Sequence, residues 1–271
     1  MAAPKGPATV AELALYRGKD RQQILEEGAK KEGSLTFYTT GILTQTVRPL
    51  VDAFQKKYPF IKVEIWRASG REILPRLVDE YRVDRYVADA IEVNQMDQIV
   101  IEESGLGLLQ PFYSPNLDQM EEGSYKKAPG GGAVWAAHYQ SGIGLGYNTK
   151  LITRAQLPKN FQELADPKWK GQGAIVTSNT GVQWMGAILE SFGEDLVKKI
   201  ADQKFTLHSM SAASLLGMII NGEYRFSPTI YDSHVTNNKQ KGSPVDWLPL
   251  EPVPTQIGQI MLPRRSPHPH A

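Results

Sequence analysis

Ser34-Leu35-Thr36-Phe37-Tyr38-Thr39-Thr40-Gly41 alternates in character with period two and then runs straight into a hydroxyl- and glycine-rich turn. That pattern reads as a half-buried strand followed by a polar turn. Upstream, Asp20 with Gln23 three residues later, then Ile24, Leu25 and Ala29, predicts a short helix that Gly33 stops. Downstream, Val47, Leu50, Val51, Phe54 and Tyr58 fall at helical spacing, with Pro49 near the start and Pro59 at the end. Ile61, Val63 and Ile65 alternate with Lys62, Glu64 and Trp66, giving a second strand that runs into Arg67-Ala68-Ser69-Gly70. Helical spacing returns at Ile73, Leu77, Val78 and Tyr81. Ala88–Val93 is a third strand, and residues 96–104 form a further expected helix that Gly105 stops. Strands alternating with helices predict an α/β fold with a largely parallel sheet.

The rest of the chain extends this alternation after a break. Ala128-Pro129-Gly130-Gly131-Gly132 interrupts it, and Val134–Tyr147 reads as extended chain. Residues 161–165, 181–192, 196–201 and 211–220 read as helical, 173–177 as a strand, and 222–230, 245–250 and 257–262 as extended. Two α/β lobes joined by extended crossings fit this order: residues 1–134 as the first lobe, 135–248 as the second, and 249–271 returning to the first.

Composition narrows the function. Among 271 residues, 30 Lys and Arg stand against 29 Asp and Glu, a net charge of +1, which argues against a nucleic-acid partner. A hydrophobic share of 41% supplies a real core and argues against disorder. No apolar run approaches the roughly 18 residues of a membrane span, and Met1–Thr9 lacks the apolar stretch of a secretory leader. With no cysteine, disulfides, thiolate catalysis and Cys-ligated zinc are excluded. No nucleophile elbow, phosphate-binding loop, dinucleotide fingerprint or His-Glu-x-x-His is present, and Asp232-Ser233-His234 are sequence neighbours whose side chains diverge rather than form a triad. The reading is of a protein that is not an enzyme and has no cofactor.

Several phrases occur in the order of one family. Tyr16-Arg17-Gly18-Lys19-Asp20-Arg21, Glu27 through Thr40, Ala53 through Pro59, Gly146-Tyr147-Asn148-Thr149, Asp166 through Gly171 and Lys241 through Val245 together resemble ABC-transporter solute-binding proteins of the ferric-iron-binding type. The resemblance implies a type II periplasmic-binding fold of two lobes, a solute held in the cleft between them, a membrane permease as partner, a monomer, and a periplasmic location with the signal peptide absent from this chain. In that family a phrase like Ser266-Pro267-His268-Pro269-His270-Ala271 is followed by further helices, so a truncated first lobe with exposed apolar surface is expected.

The residues themselves point to the same kind of ligand. Beyond the carboxyl ends of strands in open α/β sheets, helix N-termini present N–H donors to anions. Thr39-Thr40-Gly41, Ser69-Gly70 and Ser178-Asn179-Thr180 occupy such turns, each with helix capping as its alternative role. Arg67 offers a bidentate clamp for a carboxylate or phosphonate, or else pairs with Glu64 or Glu72. His138 and Tyr139 lie in a crossing, where His138 either lines the cleft or is a satisfied imidazole; His268 and His270, in a Pro-rich tail, are the weakest candidates. Tyr231 is expected as a hydrogen-bond donor or aromatic wall. In ferric-binding members adjacent tyrosines ligate iron, helped by a first-lobe His and Glu. Here the pair is Tyr231-Asp232 and the turn at Thr40-Gly41-Ile42 has no His, so no metal ligands are assigned. Tyr231 and Asp232 would serve only if Fe3+ were the cargo. The expected function is capture of a small polar or anionic solute, or ferric iron, for an importer. The alternative is an enzyme or a cytoplasmic ligand sensor on the same architecture.

Overall fold

The computed structural model describes residues 7, 9–94 and 105–271, so the helix expected at 96–104 lies outside the described residues. The chain divides into two compact units, Met1–Tyr139 with Ile257–Ala271, and Gln140–Gln256.

In the first unit, β1 (Ser34–Thr39) lies between two parallel neighbours, β2 (Lys62–Arg67) and β3 (Ala90–Asn94), with Thr39 opposite both Arg67 and Glu92. The helices α2 (Arg21–Glu32), α3 (Arg48–Lys57) and α4 (Gly70–Arg82) alternate with these strands as their spacing predicts. Gly33 closes α2 in the left-handed region at φ 70°, which glycine adopts without Cβ strain. A turn of π-helix at Leu43–Val47 feeds α3, whose first turn holds Pro49, where a missing N–H costs no helical bond. Two expectations change here. Asp20 does not cap α2 with its side chain; its carboxylate accepts from the Tyr16 hydroxyl at 2.7 Å. The segment before α2, where the sequence predicts no element, contains a short helix, α1 (Val10–Leu15), held by a reciprocal cap between Thr9 and Glu12.

Antiparallel strands enter with the crossings. A long strand, β6 (Ala133–Asn148), begins in the first unit and ends in the second, while β11 (Thr255–Pro263) runs from the second to the first. Within the first unit β11 pairs with β3 and with the short β4 (Leu109–Gln110), and β5 (Tyr125–Lys127) pairs with the start of β6. Alternation places Tyr38, Ile91, Val93 and Met261 on one sheet face against Ile73 and Leu77 of α4, and Phe37 on the other against Val47 and Val51. Arg76 of α4 lies 4.2 Å above the Trp66 ring, and Glu80 accepts from both Arg76 and the buried Tyr38 hydroxyl.

The tail after β11 is held by two carboxylates. Asp89 accepts from the Thr36 N–H, the Ser266 hydroxyl and the His268 N–H and pairs with the His268 ring, all within 2.7–2.8 Å. Glu32 accepts from the His270 and Ala271 N–H groups and pairs with the His270 ring at 2.6 Å. His268 and His270 therefore have a packing role that composition alone obscures.

The second unit has its own core. There β6 pairs antiparallel with β9 (Phe226–Tyr231) and β10 (Val245–Leu248), and β7 (Ala174–Val176) pairs parallel with β8 (Thr206–His208). Helices α5 (Asn179–Phe192), α6 (Glu194–Ala201), α7 (Ala212–Asn221) and α8 (Asp232–Gln240) cover these strands. Trp184, Phe161, Leu164, Leu215, Leu216, Ile219 and Phe226 are fully buried together, each worth about 1.5–3 kcal/mol of transfer free energy. Residues 161–165 supply only a single 3-10 turn, Glu163–Ala165, rather than a helix. His208 ends β8 and meets the Tyr224 hydroxyl at 2.9 Å.

Candidate functional site

The parallel strands set where the polar groups of the first unit gather. Thr39, Thr40 and Gly41 leave the carboxyl end of β1; Arg67, Ser69 and Gly70 leave that of β2 beside it. The group that organises the first turn is Glu92 at the end of β3. Its carboxylate, 1% exposed, accepts from the Thr39 hydroxyl, from the Gly41 N–H at 2.9 Å and, more distantly, from the Thr40 hydroxyl at 3.4 Å. His138 Nε2 stands 3.7 Å away, and Tyr139 follows it with its ring edge-on at 4.8 Å. A Cβ on Gly41 would lie 2.8 Å from Val47 and 3.2 Å from the Glu92 carboxylate, so only glycine lets the turn close this tightly.

Glu92 does not figure among the site residues read from sequence, although a signal exists. A carboxylate in the buried third strand has to be satisfied by neighbours. Burial pushes the Glu92 carboxyl up, but the nearby His138 and the bonds from the Thr39 hydroxyl and the Gly41 N–H together hold it below its ordinary range. With the folded value depressed, the carboxylate stabilises the fold above the unfolded value, and that contribution disappears as pH falls through the folded one. The melting-temperature difference between wild type and Glu92→Gln should therefore narrow on acidification below about pH 4. A gap that stays constant from pH 7 to pH 3 would contradict this account.

Ser69 donates both its N–H and its hydroxyl to Glu72 Oε2, at 2.9 and 2.6 Å, so its hydroxyl serves the start of α4. Gly70 is the first residue of that helix. Arg67 is exposed, and its charge acts on Glu72. A separate cavity of about 250 Å³ in the first unit is lined by Leu25, Leu35, Ala90, Phe112 and Pro269. Leu35 and Ala90 stand at the amino ends of β1 and β3, away from the Thr39 turn.

The second unit assembles a different set. Ser178 precedes α5, whose first turn is Asn179, Thr180 and Gly181. These N–H groups have no acceptor within the helix, and the buried Ser178 hydroxyl has no partner. Asn179 is exposed, whereas Thr180 is buried and donates to the Tyr231 hydroxyl at 3.2 Å. Tyr231 ends β9 and is 8% exposed. Burial pushes its phenol up, against a smaller opposing effect of the Thr180 bond, so it stays protonated at neutral pH. Because Thr180 donates to it, the Tyr231 O–H is left to donate elsewhere. The partial positive charge of a helix N-terminus and a neutral hydroxyl donor together complement an anion.

Residues 101–245, more than half of the chain, match the family described as bacterial extracellular solute-binding protein. The chain belongs to this family. Solved structures agree on the type II periplasmic-binding fold. Iron-bound HitA from Pseudomonas aeruginosa superposes with a TM-score of 0.72 at 21% identity, covering 87% of this chain and 77% of HitA. The substrate-binding protein of an ABC transporter from Agrobacterium tumefaciens gives 0.70 at 18% identity, covering 89% and 73%. AfuA from Actinobacillus pleuropneumoniae, with exogenous fructose-6-phosphate bound, gives 0.65 at 20%, covering 86% and 74%. An uncharacterized protein of Haemophilus influenzae is 25% identical over 174 residues, 61% of this chain and 48% of its own length. The chain thus spans about half the length of that curated relative. The matched family is one of extracellular solute-binding proteins. No helix among the described residues is long and apolar enough to cross a membrane.

Proposed function

We propose that this solute-binding protein is the periplasmic, non-catalytic receptor of an ABC importer, capturing a small anionic solute as a monomer and delivering it to a membrane permease. The observation that carries the reading is the start of α5, where free first-turn N–H groups and the unpartnered Ser178 hydroxyl adjoin the Thr180–Tyr231 pair. In the same reading Thr39, Thr40, Gly41, Arg67, Ser69, Gly70, His138 and Tyr139 are the first unit's candidates for contact with solute, with Glu92 bracing the turn behind them.

The same groups favour an anion over ferric iron. The protonated Tyr231 phenol is a ready hydrogen-bond donor to an anion, whereas a hard cation would have to displace its proton, at a cost that burial raises. Among the described residues, no three His, Asp or Glu side chains come together as a metal cluster. Calorimetry and thermal shift with phosphate, phosphonates, carboxylates and ferric salts test this. At least one anion should raise the melting temperature by mass action. Tyr231→Phe should weaken its binding roughly tenfold, the worth of one hydrogen bond to a charged group. Saturable ferric binding with a phenolate-to-iron absorption band, and no response to anions, would overturn the reading. Native mass spectrometry of the purified protein would identify a retained solute. If solute held in the cleft draws the two lobes together, small-angle scattering should show a more compact protein with solute than without.

A further inference from the structure

Asp232 is the first residue of α8 and the immediate neighbour of Tyr231. Its Oδ1 accepts from the Ser141 hydroxyl at 2.6 Å, the Gly142 N–H at 3.1 Å and the Ser233 N–H at 2.6 Å. Since the Ser141 proton points to Asp232, the Ser233 hydroxyl, 2.7 Å away, is the donor to Ser141. One carboxylate oxygen thus ties the start of α8 to two consecutive residues of β6.

The β6–β9 ladder is irregular close to this point, which gives the tie its purpose. Ile143 of β6 stands opposite Tyr231 as a non-hydrogen-bonded pair, its N–H turned to the other side of β6 and bonded to the Pro254 carbonyl at 2.7 Å. On the other side of that pair the β6–β9 register shifts between Gly144 and Gly146. Tyr231 has an extended backbone and contributes no side-chain cap to α8. At the carboxyl end of β9, the Asp232 bonds to Ser141 and Gly142 therefore add a side-chain tie to the strand pairing.

We propose that Asp232 is a positioning residue for solute capture: by bonding Ser141 and Gly142 it fixes the Tyr231 hydroxyl against Thr180. This inference rests on the anion-binding reading of that site. It gives Asp232 a role other than ligating a cation, the part it would take if iron were the cargo.

A double-mutant cycle read by calorimetry with inorganic phosphate as probe separates positioning from mere structural support. Asp232→Ala should weaken phosphate binding roughly tenfold, the loss expected when one charge-assisted hydrogen bond is misplaced. Asp232→Asn, whose carbonyl oxygen can still accept from Ser141 and Gly142, should bind nearly as wild type does. In a Tyr231→Phe background, Asp232→Ala should produce no further loss. Should Asp232→Ala fail to fold, Ser141→Ala removes one brace bond and should give a loss of about threefold that again vanishes in Tyr231→Phe. Equal phosphate affinity for wild type and Asp232→Ala, or losses that add in the double variant, would overturn the positioning role and leave the anion site standing. Absence of binding by wild type to phosphate and every other anion would overturn both.

Discussion

Gly181→Ala is expected to destabilise the protein by ~3 kcal/mol, the upper end for forcing an extra methyl into a packed site, and to abolish measurable solute binding. A Cβ at position 181 would lie 1.8 Å from the Val176 carbonyl oxygen, a backbone atom that no rotamer change can move. Val176 ends β7 and is fixed from the other side, because its N–H donates to Thr229 Oγ1 of β9 at 3.1 Å. The start of α5 must therefore lift away from the strand ends, taking the Asn179, Thr180 and Gly181 N–H groups with it. Thr180 then loses its 3.2 Å contact with Tyr231. Gly186 in the same helix provides the control, since a Cβ there meets nothing within 4 Å. Gly186→Ala should stabilise by about 0.5–1 kcal/mol through helix propensity and a less flexible unfolded chain. Urea unfolding with matched calorimetry measures both. Gly181→Ala as stable as wild type would show that α5 is not seated on β7 as described.

That collision marks a limit of sequence reading. The helix after Gly173–Thr177 is visible in the spacing of apolar residues, and Ser178 is recognisable as its start. Nothing local states that Gly181 must be glycine, because its reason is a backbone carbonyl five residues earlier that folding brings beneath it. The first unit behaves alike. The spans of β1 and β2 follow from alternation, and α2 and α3 from helical spacing between Gly and Pro stops, since each pattern is complete within about twelve residues. By contrast, α1 is a six-residue helix whose signal is one capping box, and β8 has three residues, too few for any period.

The polar sites divide in the same way. Turns after strands are legible because hydroxyls and glycines follow an alternating run, so Thr39–Gly41 and Ser178–Thr180 stand out. Their partners are not. Glu92 lies 53 positions from Thr39, and Tyr231 lies 51 from Thr180. Each pair is made by strand order, which periodicity does not encode. A carboxylate between Ile91 and Val93 in a buried strand is the available clue to Glu92, and its meaning depends on which loop covers it.

Asp89→Ala is expected to cost about 3–5 kcal/mol, the range for removing one side of a buried, fully bonded charge. Asp89 is 2% exposed and occupied by four donors, which saturates a carboxylate. Three of the four come from Ser266 and His268, so alanine would strand two backbone N–H groups, a hydroxyl and an imidazole in one stroke. Each orphaned buried group costs about 1–3 kcal/mol unless water reaches it, and the His268 side chain, 29% exposed, is the one that water can rescue. Asp89→Asn should be milder, since its carbonyl oxygen still accepts from Ser266 and from the His268 N–H. Its amide nitrogen would then face the Thr36 N–H, donor against donor, so part of the loss should remain. Urea unfolding reads the total. Hydrogen exchange at Thr36, an amide inside β1, reads the local part, and its protection should fall in both variants. The second anchor at Glu32 predicts where the damage stops: with His270 and Ala271 still bonded, the far end of the tail should stay resistant to limited proteolysis in Asp89→Asn and give way only when Glu32→Ala is added. Release of the whole tail by Asp89→Asn alone would mean that the Glu32 contacts follow from the Asp89 anchor and add no hold of their own.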